Sequence, residues 1–351
     1  MSSPSNLAHL FTTRRFVPLF VVQVLGAIND NVFKGAFTAL AAVYFATVLP
    51  WWRTDLATQA IAGVFILPFF LFSAFAGQLA DKYEKSRIVR WTKVWEIGAM
   101  LLGAGALWLQ NPWLLFFTLF VMGAQSAFFG PLKYSLLPVH LREDELVGGN
   151  AVFEAATYVA IIGGTALGTL TILVEGKPHP VYIIATVLVI GVAGWLASWG
   201  VPRAEPSAPG LKINYNIFTA TSNLLRDAAK QLGVFRSILG ISWFWLIGAF
   251  WLTLVPDYTR QYLHQGEKTF TLIFIAFSLG IAAGSMACNR MLRGEITAKF
   301  VPLAGLGMSV FMADFAWLTV SIGDRFATEV FTPWSWIGVR LIGDLVGIAA
   351  A

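Results

Sequence analysis

Residues 26–37 read GAINDNVFKGAF and lie inside an apolar run that extends from Phe16 to about Leu49. Asn29, Asp30, Asn31 and Lys34 stand where hydrocarbon is the expected solvent. At 1.5 Å per residue, Asp30 falls roughly 21 Å past Phe16, beyond the midplane of a hydrocarbon core about 30 Å thick. Gln23, Asp30, Asn31 and Lys34 are spaced i, i+7, i+8 and i+11, which places them on one helical face. A charge at that depth is costly, so the face is expected to line a cavity or to pair. A structural Asp30–Lys34 pair, one turn apart, is the alternative to a substrate or ion path.

The rest of the chain sets the same context. Of 351 residues, 57% are hydrophobic and 12% are charged, and the mean hydropathy is +0.69. Soluble domains carry about 25% charged residues, so the composition specifies an all-α polytopic membrane protein. The first apolar run is too long and too polar at its centre to be a cleaved signal. A single cysteine, Cys288, excludes an internal disulfide and a thiolate metal cluster. No cofactor motif is present, and no P-loop.

Helices are expected at 16–49, 58–80, 91–110, 113–137, 147–174, 180–200, 237–262, 269–290, 300–321 and 336–351. Stops are expected at Pro50, Asn111-Pro112, Pro138, Lys177-Pro178 and the VPRAEPSAPG stretch at 201–210. Assigned to alternating sides, sixteen Lys and Arg fall with the N-terminus, Lys93 among them, and five fall opposite. The positive-inside rule then puts the N-terminus in the cytoplasm and accounts for the basic pI without nucleic acid. The expected organisation is a cytoplasmic N-terminus at 1–15, a six-helix bundle at 16–200, a cytoplasmic linker at 201–236 and an incomplete second bundle at 237–351. Within the linker, residues 216–232 carry Ile217, Leu224, Leu225 and Leu232 near a helical period between basic residues. That suits an amphipathic surface helix, with a plain solvated linker as the alternative. The last apolar run holds 16 residues, short of a full span, so a truncated second bundle is expected.

Three further segments carry chemistry. GQLADKYEKSRIVR, after the second helix, supplies Gly77, Asp81, Lys82 and Arg87 in the spacing of the cytoplasmic turn between helices 2 and 3 of major facilitator proteins. Gly77 is expected to allow close helix approach, and Asp81 to meet a helix N-terminus and Arg87, a latch for one conformation. The corresponding second-half segment, GSMACNRMLRGE, keeps Gly284 and lacks the acid. AFFGPLKYSLLP ends helix 4, where Gly130-Pro131 is expected to break the helix and Lys133 either snorkels or lines the path. On helix 5, Asn150 and Glu154 lie one turn apart, and Glu154 is expected to meet Lys133 or Asp30. Gly164 and Gly168 form a GxxxG contact.

Taken together, Asn29-Asp30-Asn31, Gly130-Pro131-Leu132-Lys133-Tyr134, the Asn150 to Thr157 segment and GISWFW at 240–245 resemble the lysophospholipid transporter family of the major facilitator superfamily. The resemblance implies two six-helix bundles and movement of lysophosphatidylethanolamine and related lysolipids to the inner leaflet of a bacterial inner membrane. It also implies that Asp30, Lys133 and Glu154 face the headgroup path. The implied partners are lysophospholipid, membrane lipid and a cytoplasmic acyltransferase, fused or separate. An arginine that family members can carry in helix 7 is absent from Gly248-Ala249-Phe250-Trp251-Leu252-Thr253. The acyltransferase pattern HxxxxD is also absent: five residues after His9, His140, His179 and His264 stand Arg14, Glu145, Ile184 and Thr269. The membrane portion of a bifunctional acyltransferase and a proton-coupled drug exporter of the same fold remain as alternatives.

Overall fold

The computed structural model describes residues 7–261, 263, 267–292, 297–326 and 335–351. After a short 3-10 turn at Leu7–Thr12, the helices are α1 Val17–Ala39, continued by a π-helical turn at Leu40–Tyr44 and a helical turn at Phe45–Val48, then α2 Thr54–Lys82, α3 Lys85–Leu109, α4 Pro112–His140, α5 Glu143–Thr171 and α6 Pro180–Ser198. They continue with α7 Ile217–Lys230, α8 Leu232–Gln261, α9 Glu267–Leu292, α10 Val301–Phe326 and α11 Trp336–Ala350. Seven of the described helices are long and apolar enough to cross a membrane. Two compact units form, Ser5–Leu224 and Leu225–Ala351.

Local chemistry explains where the helices begin. Pro112 and Pro180 occupy first-turn positions of α4 and α6, where a missing N–H costs nothing. Asn111 caps α4 by accepting from the Leu114 N–H at 3.1 Å. Glu84 caps α3 by accepting from Ser86 and Arg87, each at 3.0 Å. That cap starts α3 at Lys85, six residues before the position expected from hydropathy. Glu175 and Gly176, with φ of 50° and 76°, turn a two-residue hairpin that pairs Leu173–Val174 with Lys177–Pro178. Positive φ at both central positions is the turn that suits a hairpin's twist.

The break expected at Gly130-Pro131 and the stop at Pro138 do not occur. α4 runs through both prolines to His140. Leu132, Leu136 and Leu137 on the same stretch are buried in one apolar cluster with Phe16, Leu19 and Phe153. Packing on that scale outweighs the hydrogen bonds that two prolines remove, as membrane helices commonly tolerate.

In the first unit, α1 sits against α5 with almost no spacing. A methyl at Gly168 would lie 2.1 Å from the Val32 carbonyl oxygen, one at Gly164 2.7 Å from that of Ile28, and one at Gly35 2.5 Å from that of Thr165. Only hydrogen fits at these crossings, so the GxxxG segment is a backbone contact. α2 and α4 meet in the same way, where a methyl at Gly123 would lie 2.2 Å from the Phe65 oxygen.

The stretch at 201–214, ahead of residues 216–232, is bonded to the first bundle. Val201 and Ala204 are buried. Ala204 N–H donates to Glu84 Oε1 at 3.2 Å, Ala208 N–H to the Asp81 carbonyl at 2.8 Å, and Asn214 N–H to Gln78 Oε1 at 2.7 Å. Lys85 Nζ donates to Ser207 Oγ at 2.6 Å. The extended segment therefore straps the turn between α2 and α3 before α7 begins. α7 itself is an amphipathic helix with Phe218, Leu224 and Leu225 exposed.

Candidate functional site

The polar residues of α1 diverge toward several neighbours. Gln23 Nε2 donates to Thr157 Oγ1 of α5 at 2.9 Å. Asp30 Oδ2 accepts from Ser126 Oγ of α4 at 2.6 Å, and the Ser126 hydroxyl also lies 3.2 Å from Gln125 Oε1. Asn31 Nδ2 donates back to the Ala27 carbonyl at 2.8 Å. Lys34 Nζ lies over the Phe65 ring of α2, 5.2 Å from its centroid. Asp30 thus takes its hydrogen bond from another helix, while Lys34, one turn on, stays close enough for the two opposite charges to attract. α1 packs mainly against α5 and α6 and touches α2 and α4 more lightly.

Asn29 turns to a different network. Its Nδ2 donates to Glu96 Oε1 of α3 at 3.0 Å. Glu96 Oε2 in turn lies 2.5 Å from Lys93 Nζ, and both side chains are 1% exposed. Lys93 is therefore a bundle residue and not a loop cation, which corrects its place in the charge count. The remaining asymmetry, fifteen against five, keeps its sign. Hydropathy hid the pair because Lys93 borders the basic turn, but the i, i+3 spacing of Lys93 and Glu96 inside WTKVWEIG was the available signal.

Lys133 and Glu154 come together across α4 and α5, Nζ to Oε1 at 3.3 Å. Tyr134 Oη donates to the same Glu154 oxygen at 2.9 Å. The Glu154 side chain keeps 29% exposure, against 9% for Lys133. Asn150 donates its amide to the Leu146 carbonyl one turn earlier, at 2.9 Å, and does not reach this pair.

Magnitudes separate the two ion pairs. Breaking a fully buried pair such as Lys93–Glu96 by removing one partner costs about 3–5 kcal/mol. A partly exposed pair such as Lys133–Glu154 is worth about 1 kcal/mol or less. The first is a pin joining α1 to α3; the second can exchange its partner for a ligand.

At the turn after α2, the expected latch is arranged differently. Asp81 and Arg87 are exposed, and Glu84, not Asp81, occupies the N-terminus of α3. Burial alone would raise the Glu84 carboxyl. Hydrogen bonds from the Ser86 hydroxyl and from the backbone N–H groups of Ala204, Ser86 and Arg87 outweigh it and hold the group below the ordinary value. Lys82 lies over the Tyr83 ring at 5.8 Å. A methyl at Gly77 would meet nothing within 4 Å, so no close helix approach uses that glycine here.

On the side of α4 that faces α2 and α3 lies an apolar groove of about 410 Å³, lined among others by Phe72, Phe75, Trp95, Phe120 and Phe128. Its lining is almost wholly apolar and offers no charge to a headgroup.

The sequence profile of the Major Facilitator Superfamily matches residues 32–351. The chain belongs to the Major Facilitator Superfamily. Among characterised sequences, this transporter is 27% identical over 303 residues to the lysophospholipid transporter LplT of Escherichia fergusonii, covering 85% of this chain and 71% of that one. It is 26% identical over 316 residues to LplT of Citrobacter koseri, covering 87% and 72%. In fold, the transporter resembles a bacterial homologue of the iron transporter ferroportin in its outward-facing state. The TM-score is 0.52 at 14% identity, covering 95% of this chain and 80% of the other.

Proposed function

We propose that this superfamily member carries lysophospholipids across a bacterial inner membrane, toward the cytoplasmic leaflet, by alternating access. The observation that carries the reading is the partly exposed Lys133–Glu154 pair set in an apolar bundle that also buries Asp30. A lysophosphatidylethanolamine headgroup offers a phosphate and an ammonium. Lys133 is the partner for the phosphate, and Glu154 and Asp30 for the ammonium, through charge-assisted hydrogen bonds. Because the existing pair is weak, substrate replaces it at little cost. The likeness to LplT transporters supports the substrate class.

In this reading Asn29 positions the path and is not part of it, since its amide is spent on Glu96. Gln23 holds Thr157 one turn beyond Glu154 and steadies that face of α5. The described bundle acts as a carrier, and lysolipid delivered to the cytoplasmic leaflet suits a separate or fused acyltransferase.

The test is uptake of labelled lysophosphatidylethanolamine into spheroplasts expressing the protein, with Asp30→Asn and Glu154→Gln beside it. Both variants are expected to insert normally and to lower the rate at least tenfold. Wild-type rates in both would remove the headgroup assignment. Absence of uptake by the inserted wild type would remove the lysolipid reading altogether.

A further inference from the structure

The described residues leave most of the apolar side of α7 uncovered. Asn216 starts the helix, its Oδ1 accepting from the Phe218 and Thr219 N–H groups, each at 3.1 Å, which fixes the first turn. Ile217, Phe218, Thr221, Leu224, Leu225 and Ala228 then fall on one side, and Thr219, Asn223, Arg226 and Lys230 on the other. Phe218, Leu224 and Leu225 are 68%, 58% and 48% exposed, and among the described residues only Ala220 of α7 is buried. A helix of 14 residues is marginal in water unless its apolar face is packed. The face therefore calls for a partner.

The place where α7 begins says which partner. The chain enters it from the strap, where Asn214 N–H donates to Gln78 Oε1 at 2.7 Å and the Tyr215 ring centroid lies 6.2 Å from that of Phe75. Tyr215 and Ile217 line the same apolar groove as Phe72, Phe75 and Phe128. The apolar side of α7 thus continues a surface of membrane-crossing helices. The span Leu56–Lys82 of α2 holds 27 residues, roughly 40 Å, which matches a bilayer with its headgroups. Phe75 stands roughly 10 Å inside the end of that span at Lys82. Interfacial helices bury their apolar face about 5–10 Å into the boundary between headgroups and acyl chains, so α7 starts at the depth where such a helix lies.

Charge points the same way. From 206 to 236 the chain carries Lys212, Arg226, Lys230 and Arg236 against a single acid, Asp227, and Lys230 pairs with that acid at 2.6 Å. Arg226 and Lys230 sit opposite the apolar side, where headgroup phosphates are the complementary partner.

We infer that α7 docks on the lipid surface of the leaflet at the strap end of the bundle. Phe218, Leu224 and Leu225 enter the acyl boundary, and Arg226 and Lys230 face the headgroups. The inference requires that α2 crosses the bilayer and is independent of the substrate.

The test is site-directed spin labelling of the full chain in vesicles of phosphatidylethanolamine and phosphatidylglycerol. In a Cys288→Ser background, single labels are placed at Phe218→Cys, Leu224→Cys and Leu225→Cys, and at Asn223→Cys, Arg226→Cys and Lys230→Cys. Collisions with oxygen, which partitions into hydrocarbon, are expected to exceed those with a water-soluble nickel chelate at the first three positions, and the ratio to reverse at the other three. Should a position not purify as folded protein, Ala228→Cys replaces it on the apolar side and Thr219→Cys on the polar side. Nickel collisions dominating at every position would make α7 a solvated segment and overturn the proposal. Low access to both reagents at Phe218, Leu224 and Leu225 would mean that protein covers the face, and would overturn it equally.

Discussion

Lys93 and Glu96 show how much one pair of side chains can decide. Each is sealed among α1, α3 and α6, with Gly26 and Gly194 bordering the ammonium. Truncating one partner leaves the other charged and dry. Lys93→Met or Glu96→Leu alone is expected to destabilise the protein by about 3–5 kcal/mol, whereas the double variant recovers most of that loss. Thermal unfolding of the four proteins in detergent measures it, and two additive single effects would contradict the pin. At Lys133 the expectation is the reverse. Lys133→Met should change stability by no more than about 1 kcal/mol while transport falls, because its partner Glu154 is partly exposed.

At the scale of elements, glycine positions divide into those with a backbone opposite and those without. Gly168→Ala would drive a methyl to 2.1 Å from the Val32 oxygen, and no rotamer relieves a clash with main chain. Loss of folded protein is expected, read as loss of the monodisperse fraction. Gly77→Ala meets open space and should keep stability, even gaining up to about 1 kcal/mol from helix propensity. A transport defect in that folded variant would then report on a conformation other than this one. The cap of α3 adds a pH dependence. Because the folded Glu84 carboxyl titrates below its ordinary value of 4.5, its contribution is complete above that value and disappears as pH falls through the lower, folded one. Glu84→Gln should therefore lower the unfolding temperature at pH 7 and converge on wild type only once pH has fallen through the lower, folded value. An equal gap at both pH values would mean that the carboxylate charge is not what the cap uses.

For the whole molecule, what the sequence made legible follows from the length of each signal. Apolar runs of about 20 residues are long and additive, so the helices and the superfamily fold were readable from them. Single contacts were not. Pro131 and Pro138 read as punctuation because local propensity carries no information about the cluster around Phe16 and Phe153. Lys93 read as a loop cation because hydropathy averages it with its neighbours, and Glu84 was overshadowed by Asp81 in a familiar pattern. Orientation is the remaining global property, and the single cysteine makes it measurable. In a Cys288→Ser background, Lys177→Cys lies on the hairpin between α5 and α6 and Glu205→Cys on the strap after α6, with α6 between them. Moving Lys93 into the bundle leaves basic residues concentrated on the strap side, so the strap should face the cytoplasm. A membrane-impermeant maleimide should label Lys177→Cys in intact spheroplasts and Glu205→Cys only after permeabilisation. The opposite pattern would invert the protein, and with it the direction in which the path through Lys133 and Glu154 delivers its substrate.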